Sequence, residues 1–379
     1  MKVPFNKPVR LENHAEVLAE AVNCPQLAGN GPYTKRCEDY LDAALQVPTR
    51  IVTSATHALE MMALVAGIKD GDEVIVPSFT FVSTANPFVL RGARLRFADN
   101  DADGNILPGE VERLFTSKTR AVLAVDYAGA SPDLDQIVEL CERKRVPLFE
   151  DAAQGIGATY RGRPLGTIGN LGCYSFHDTK NITSGEGGAL IIRDQSYLEA
   201  AEIIREKGTN RRKFMLGLVD KYTWVAMGSS YVLSELNSAY LCPQLERINE
   251  INARRGELCR RYERELGAAF ERVGARRLAV PAFNKPNHHM YAAVFSRPEH
   301  RPSFIAHMKG AGVTCPFHYV PLHSSPFGRT FYDSGVPDEL PGCDRIAGNL
   351  VRLPLYFNMT EEEQSYTIER ALEWLRSGV

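Results

Sequence analysis

Ala121-Val122-Leu123-Ala124-Val125 and Val146-Pro147-Leu148-Phe149 are two short apolar runs, and between them Leu134, Ile137, Val138 and Cys141 recur at i, i+3, i+4 and i+7. That spacing puts four apolar side chains on one face of a helix, with Asp133 as its N-cap. Strand, amphipathic helix and strand in this order predict a crossover between parallel strands. The rhythm extends both ways. Arg50-Ile51-Val52-Thr53, Glu73-Val74-Ile75-Val76 and Arg94-Leu95-Arg96-Phe97 precede it; Gly172-Cys173-Tyr174-Ser175-Phe176 and Ala189-Leu190-Ile191-Ile192 follow it. The expected fold class is α/β with a mainly parallel central sheet.

Further along, Leu233, Leu236, Tyr240 and Leu241 predict a helix, and a longer charged one runs from roughly 246 to 274 with Ile248, Ile251, Leu258, Tyr262 and Leu266 as its apolar positions. The long helix is expected to bridge a large domain, residues 1–245, and a small C-terminal α+β domain, residues 246–379. The latter should hold a strand near Met290–Phe295, a helix near Ser303–Gly310 and a last helix from Glu361 to Leu375. A chain of 379 residues suits this division.

Composition narrows the partners. The 44 basic and 46 acidic residues leave a formal charge of -2, so no global field draws the chain to nucleic acid or to an anionic membrane. No run of about 18 apolar residues could span a bilayer, and the start Met1-Lys2-Val3-Pro4-Phe5-Asn6 lacks the apolar core of a secretion signal. The expected location is the cytoplasm. Eight cysteines stand singly without CxxC spacing, which reads as buried thiols and not as a metal site. No metal is expected, and the adjacent His288 and His289 would point to opposite sides of a strand.

Ligands of open α/β sheets collect beyond the carboxyl ends of the strands. Three features fall there. Lys180 sits in Ser175-Phe176-His177-Asp178-Thr179-Lys180-Asn181, between two apolar strands joined by the glycine-rich Ser184-Gly185-Glu186-Gly187-Gly188. Asp151 ends a buried strand in Glu150-Asp151-Ala152-Ala153-Gln154, where an acid needs a charge or strong donors to meet. Ser54-Ala55-Thr56-His57 precedes an apolar helix whose N-terminus offers free N–H groups to an anion.

A lysine for an imine, a carboxylate for a pyridine nitrogen and a phosphate cradle are the parts that pyridoxal 5'-phosphate (PLP) requires. Lys180 is then the candidate catalytic residue, holding PLP as a Schiff base and later carrying the proton. Asp151 would face the pyridinium nitrogen, and Gln154 could bond the ring hydroxyl. Thr56 and His57 start the phosphate cradle, with Ser175 as a second candidate for it.

Together with Pro77-Ser78-Phe79-Thr80-Phe81, Gly185-Glu186-Gly187-Gly188 and His318-Tyr319-Val320-Pro321-Leu322-His323, these motifs resemble the DegT/DnrJ/EryC1/StrS sugar aminotransferases over nearly the whole chain. The resemblance implies the fold-type I architecture of PLP-dependent transferases, a homodimer with composite active sites, and L-glutamate as amino donor. It also selects Phe81 as the aromatic stacked on the cofactor ring. Lys207-Gly208-Thr209-Asn210-Arg211, Phe214, Val219-Asp220-Lys221-Tyr222-Thr223-Trp224 and Gly228-Ser229-Ser230-Tyr231 resemble the branch that aminates C4 of dTDP-4-dehydro-6-deoxy-D-glucose. The product implied is dTDP-4-amino-4,6-dideoxy-D-galactose, a precursor for lipopolysaccharide or other surface glycans. A family run Gly-x-Asn-x-Arg supplies an asparagine to the neighbouring subunit's cofactor phosphate; the matching positions here hold Ser230 and Val232, which makes Ser230 the substitute.

Two features stay open between readings. The basic cluster Arg205, Lys207, Arg211, Arg212 and Lys213 suits a solvated helix end or a pyrophosphate-facing loop, and His318 and His323 suit the active site or the core. Three rival functions are weaker. A sugar dehydratase of this family would carry histidine in place of Lys180, a non-catalytic PLP-binding regulator would need a DNA-binding module, and a dinucleotide oxidoreductase would need GxGxxG where Gly185-Glu186-Gly187-Gly188 stands.

Overall fold

In the computed structural model, which describes residues 1–332 and 338–377, seven strands form the central sheet. They are β1 (Thr49–Val52), β2 (Glu73–Pro77), β3 (Arg94–Ala98), β4 (Thr119–Val125), β5 (Leu148–Asp151), β6 (Leu171–Ser175) and β7 (Gly188–Ile192), in the spatial order β1-β7-β6-β5-β4-β2-β3. Strands β2 to β6 pair in parallel, whereas β7 runs antiparallel to β1 and β6. The mainly parallel α/β sheet is thus as expected.

Along β2 the side chains alternate between faces. Ile75 joins one apolar cluster with Ile51, Val122 and Ala124; Val74 and Val76 join another with Val52, Ala121 and Leu123. Both faces are covered, as parallel strands require. The crossover helix Leu134–Lys144 buries Leu134, Ile137 and Cys141, and Asp133 caps it by accepting from the Gln136 N–H at 3.4 Å. Strand β5 begins at Leu148 and not at Val146, because the Val146 N–H closes that helix on the Cys141 carbonyl at 3.0 Å.

A three-stranded antiparallel sheet of Ala275–Arg277, Tyr291–Phe295 and Leu350–Leu353 forms the smaller lobe with helices His300–Gly310 and Glu361–Arg376. Helix Ile248–Arg272 bridges the lobes physically. Its Ile248 and Ile251 belong to the large-lobe core, while Leu258, Tyr262 and Leu266 belong to the small one. The chain's first residues return to the small lobe: Val3 lies in that core, and the Leu355 N–H donates to the Phe5 carbonyl at 3.3 Å. Seven of the eight cysteines are buried and all are free thiols. Among the described residues no helix is long and apolar enough to cross a membrane.

Candidate active site

A cavity of about 560 Å³ opens beyond the carboxyl ends of β4, β5 and β6, whose last residues Val125, Asp151 and Ser175 all line it. Its size suits a small-molecule site. Ser54, Ala55 and Thr56, just after β1, line it, as do Arg255 of the bridging helix and His289, His318, Tyr319 and Arg352 from the part of the chain after that helix. Lys180 also lines the cavity, on the connection between β6 and β7. Sequence reasoning therefore brought Lys180, Asp151, Gln154, Ser175, Phe81 and Thr56 to one place, and the structure puts all six there.

The lysine turn is fixed by its backbone. Phe176 N–H donates to Gly187 at 2.8 Å, Ser184 N–H to Phe176 at 2.9 Å and Lys180 N–H to His177 at 3.0 Å. Buried Asn181 pins the next residue by donating to Asn252 Oδ1 at 2.8 Å and to the Asn287 carbonyl at 3.0 Å. Among the described residues the Lys180 ammonium has no salt bridge. Burial lowers its pKa from the ordinary lysine value; the charge of Asp151 opposes that shift and that of Arg352 adds to it.

Three carboxylates lie close together near the ends of β4 and β5, and their roles separate by partners. Glu150 accepts from the backbone N–H groups of Gly166, Ile168 and Gly169 at 3.0, 2.6 and 2.5 Å, so it organises that loop. Asp151 faces the cavity, with Oδ2 accepting from Thr84 Oγ1 at 2.7 Å and Oδ1 from the Ala153 N–H at 3.1 Å. Both carboxyl oxygens of Asp126 are buried without a hydrogen-bond partner. Burial, then the charges of the neighbouring Glu150 and Asp151, push its pKa well above the ordinary aspartate value.

The helix Ala55–Val65 starts at the cavity because Ser54 caps it, accepting from the His57 N–H at 3.0 Å. Thr56 Oγ1 donates to Ser83 Oγ at 2.8 Å on the cavity wall. His57 is the correction to the expected cradle: it does not line the cavity. The cap consumes its N–H, and its ring Nδ1 lies 2.5 Å from Thr53 Oγ1 and packs near Tyr231. Gly188 lets β7 approach this helix start, since a Cβ there would meet the Ala55 nitrogen at 2.4 Å.

On the small-lobe side, Gln154 accepts from the Ala128 N–H at 2.8 Å and donates to Tyr319 Oη at 2.8 Å, so both ends of its amide are already engaged. Phe81 lines the cavity and is 55% exposed. Ser175 Oγ accepts from the His177 N–H at 3.3 Å. His318 shares a 2.7 Å hydrogen bond with Tyr127 Oη and stacks on Tyr319 with ring centroids 3.7 Å apart. His323, by contrast, is buried against Ser78 Oγ at 2.6 Å and lies outside the cavity lining. The two histidines left open by the sequence therefore divide between site and core.

His289 was not anticipated. Its Nδ1 lies 2.9 Å from Asn181 Oδ1, and because Asn181 Nδ2 already donates twice, Oδ1 accepts and Nδ1 carries the proton. Burial, then the charge of Lys180, hold its pKa well below the ordinary histidine value, so the ring is neutral with Nε2 as an acceptor. Arg352 was missed as well, although a charge inside the apolar run Leu350-Val351-Arg352-Leu353-Pro354-Leu355 was a signal for it.

Four of the five residues of the basic cluster are answered locally. Arg205 is buried against the Ile51 carbonyl and Glu38, both at 2.9 Å; Arg211, Arg212 and Lys213 pair with Glu206, Glu202 and Glu199. Ser230 is exposed and bridges to Glu206, outside the cavity of its own chain.

A sequence model of the DegT/DnrJ/EryC1/StrS aminotransferase family matches residues 10–371. The chain is 30% identical over 351 residues to the pleiotropic regulatory protein of Geobacillus stearothermophilus, covering 91% of this chain and 90% of that one. The aminotransferase TlmJ from Streptoalloteichus hindustanus superimposes with a TM-score of 0.91 at 28% identity, with all of both chains covered. The sugar aminotransferase CalS13 from Micromonospora echinospora superimposes with a TM-score of 0.86 at 26% identity, covering 97% of this chain and 98% of that one.

Proposed function

Because the chain belongs to the DegT/DnrJ/EryC1/StrS aminotransferase family and is a PLP-dependent sugar aminotransferase, we propose that it aminates C4 of dTDP-4-dehydro-6-deoxy-D-glucose. L-glutamate is the donor, and the products are dTDP-4-amino-4,6-dideoxy-D-galactose and 2-oxoglutarate. The observation that carries the reading is one cavity holding both Lys180, free of any salt bridge among the described residues, and Asp151, fixed by Thr84. The C4 and dTDP assignments rest on the likeness of residues 207–231 to that branch of the family.

The residues present fit PLP. Lys180 would attach it, Asp151 would meet the pyridine nitrogen, Phe81 would cover the ring, and Thr56 with the start of its helix and Ser175 would hold the phosphate. When bound, PLP supplies a carbonyl for covalent capture of an amine and a ring that withdraws electrons. Lys180 Nζ, with a pKa lowered by burial, takes the proton from the donor's α-carbon and returns one to C4 of the sugar. Asp151 holds a negative charge in place, with Thr84 fixing its orientation. Gln154 is committed to Ala128 and Tyr319, so it positions Tyr319 and reaches the cofactor hydroxyl only as a shared donor.

The working form is a homodimer with shared sites, located in the cytoplasm. Support comes from the end of helix Arg211–Met215 and the segment after it, where Met215, Leu216, Leu218 and Trp224 are 71%, 63%, 68% and 79% exposed. Ser230 follows that segment, and its exposed hydroxyl is free of its own cavity and suited to a second copy's phosphate.

Incubation with PLP, L-glutamate and a panel of dTDP- and UDP-linked keto sugars, followed by NMR of the product, tests the substrate assignment. A 3-amino product, or the gluco epimer at C4, overturns it. Lys180→Ala protein that kept full turnover would remove the catalytic assignment. The parent should absorb near about 410–430 nm with PLP and the variant should not.

A further inference from the structure

The end of the sheet away from the catalytic cavity carries a further pair of cavities. One of about 310 Å³ and one of about 360 Å³ adjoin at the amino ends of β4, β5 and β6, where they share Arg145, Val146, Pro147 and Tyr197. Neither shares a lining residue with the catalytic cavity. Leu148 lines the first of them and Asp151 lines the catalytic cavity, so the length of β5 sets the two about 10 Å apart.

Four cations line the pair, Arg120, Lys144, Arg145 and Arg193, against one carboxylate among the described residues, Glu142. In a chain whose formal charge is -2 this is a local concentration of positive charge. Among the described residues Lys144, Arg145 and Arg193 have no salt bridge. Backbone carbonyls hold two of the guanidinium groups instead. Arg193 Nη1 donates to the Ile168 carbonyl at 2.5 Å, and Arg120 Nη1 donates to those of Ser117 and Thr119 at 3.0 and 3.1 Å, with Asp72 3.5 Å from its Nε. A carbonyl fixes the fork without neutralising it.

Lys144 stands in the last turn of helix Leu134–Lys144, where a cation ordinarily suits the helix end. Arg145 has no such explanation. Its φ of 55° and ψ of 43° are the left-handed conformation that closes a helix and that glycine takes without strain. A longer side chain is strained there, so the chain carries a guanidinium where glycine would fold better. Beside it, half-buried Val146, Pro147 and Tyr197 give the shared stretch an apolar surface with one aromatic ring. Guanidinium forks take phosphate oxygens in pairs, and an aromatic ring takes the flat face of a base. The cavities have the size of a small-molecule site.

We propose that this pair of cavities is a second, non-catalytic site that binds a nucleoside diphosphate, with Arg145 and Arg193 on the phosphates and Tyr197 against the base. The site is independent of which sugar the catalytic cavity accepts.

Binding of ADP to the PLP-loaded protein, measured by calorimetry, tests it on the parent and on Arg145→Gly, Arg193→Gln and Glu142→Gln. Pyrophosphate is the second probe, and melting curves and the reaction with L-glutamate are recorded on the same samples. Arg145→Gly should weaken ADP by about tenfold and still melt at or above the parent's temperature, since glycine relaxes the helix end. Arg193→Gln should lose about as much. Glu142→Gln, which removes the one carboxylate, should tighten ADP by about twofold. All three should react with L-glutamate within about twofold of the parent, and the parent should hold ADP about tenfold more tightly than pyrophosphate.

A parent that binds no ADP, or ADP affinity unchanged by Arg145→Gly, would overturn the proposal; Arg145→Gly and Glu142→Gln decide the matter should Arg193→Gln fail to fold. Bound ADP that the keto sugar nucleotide displaces would place it in the catalytic cavity and overturn the second site. Pyrophosphate that binds as tightly as ADP would overturn the nucleotide as its ligand.

Discussion

Gly188→Ala ties the packing of the sheet to cofactor binding. A Cβ on Gly188 would stand 2.4 Å from the Ala55 nitrogen, 2.5 Å from the Ser54 carbonyl carbon and 2.8 Å from the Ser54 oxygen. All three are backbone atoms, so no change of rotamer relieves the contact, and β7 or the start of helix Ala55–Val65 must move. Overpacking costs about 1–3 kcal/mol, and rigid neighbours place this site near about 3. Unfolding entropy of about 2.1 cal/mol/K per residue gives about 0.8 kcal/mol/K for 379 residues, so Tm should drop by about 4 °C. The displaced segment carries Ser54, Ala55 and Thr56, and loss of one charge-assisted hydrogen bond to the phosphate should weaken PLP by about tenfold or more. Melting curves with and without PLP, and PLP titration by fluorescence, measure both effects. Gly109→Ala is the control, a helical position with nothing within 4 Å of the added Cβ, and should leave Tm unchanged or slightly raised. A Gly188→Ala protein that melts and binds PLP like the parent would refute the claim that this close approach builds the phosphate end.

Asp151→Asn keeps the shape but removes the charge facing the cavity; kcat/KM should fall by about 100-fold or more with the melting temperature nearly unchanged, checked by steady-state kinetics beside calorimetry. The pKa values of His289 and His318 are held down by burial, so below the ordinary value of 6.5 the unfolded chain binds protons that the folded chain refuses. Their contribution is therefore present above pH 6.5 and lost as pH falls, by up to about 1.4 kcal/mol per pH unit for each. Urea unfolding between acid and neutral pH should give a shallower acid slope for His289→Gln than for the parent, and an identical slope would count against a buried neutral ring. Replacing Met215 and Trp224 together by serine should turn the proposed homodimer into monomers in light scattering after size exclusion, with loss of turnover.

Much of the site could be read from the chain because its large-lobe half is local. Asp151 ends a strand, and Lys180 and Thr56 each follow one, whose apolar run is plain in the sequence, and ligands gather at such strand ends. The bridging helix was legible for a similar reason, being long and strongly periodic. Glu150 and Asp151 stand side by side, and only hydrogen bonding to Gly166, Ile168 and Gly169 tells which is structural. His57 was assigned to the cradle because a helix N-terminus favours anions. Which N–H groups remain free depends on the cap, and Ser54 had claimed that one.

What the sequence determined by itself was the order of strands and crossovers, and with it the side of the sheet where chemistry gathers, because period and turn signals act over a few residues. What only the tertiary structure decided was the rest of the cavity lining. His289, His318, Tyr319 and Arg352 lie more than 100 residues from Lys180 and reach the cavity by packing of the small lobe. Their protonation and their freedom to bind follow from burial and from which partners the fold left them, and neither quantity has a local signature in the chain.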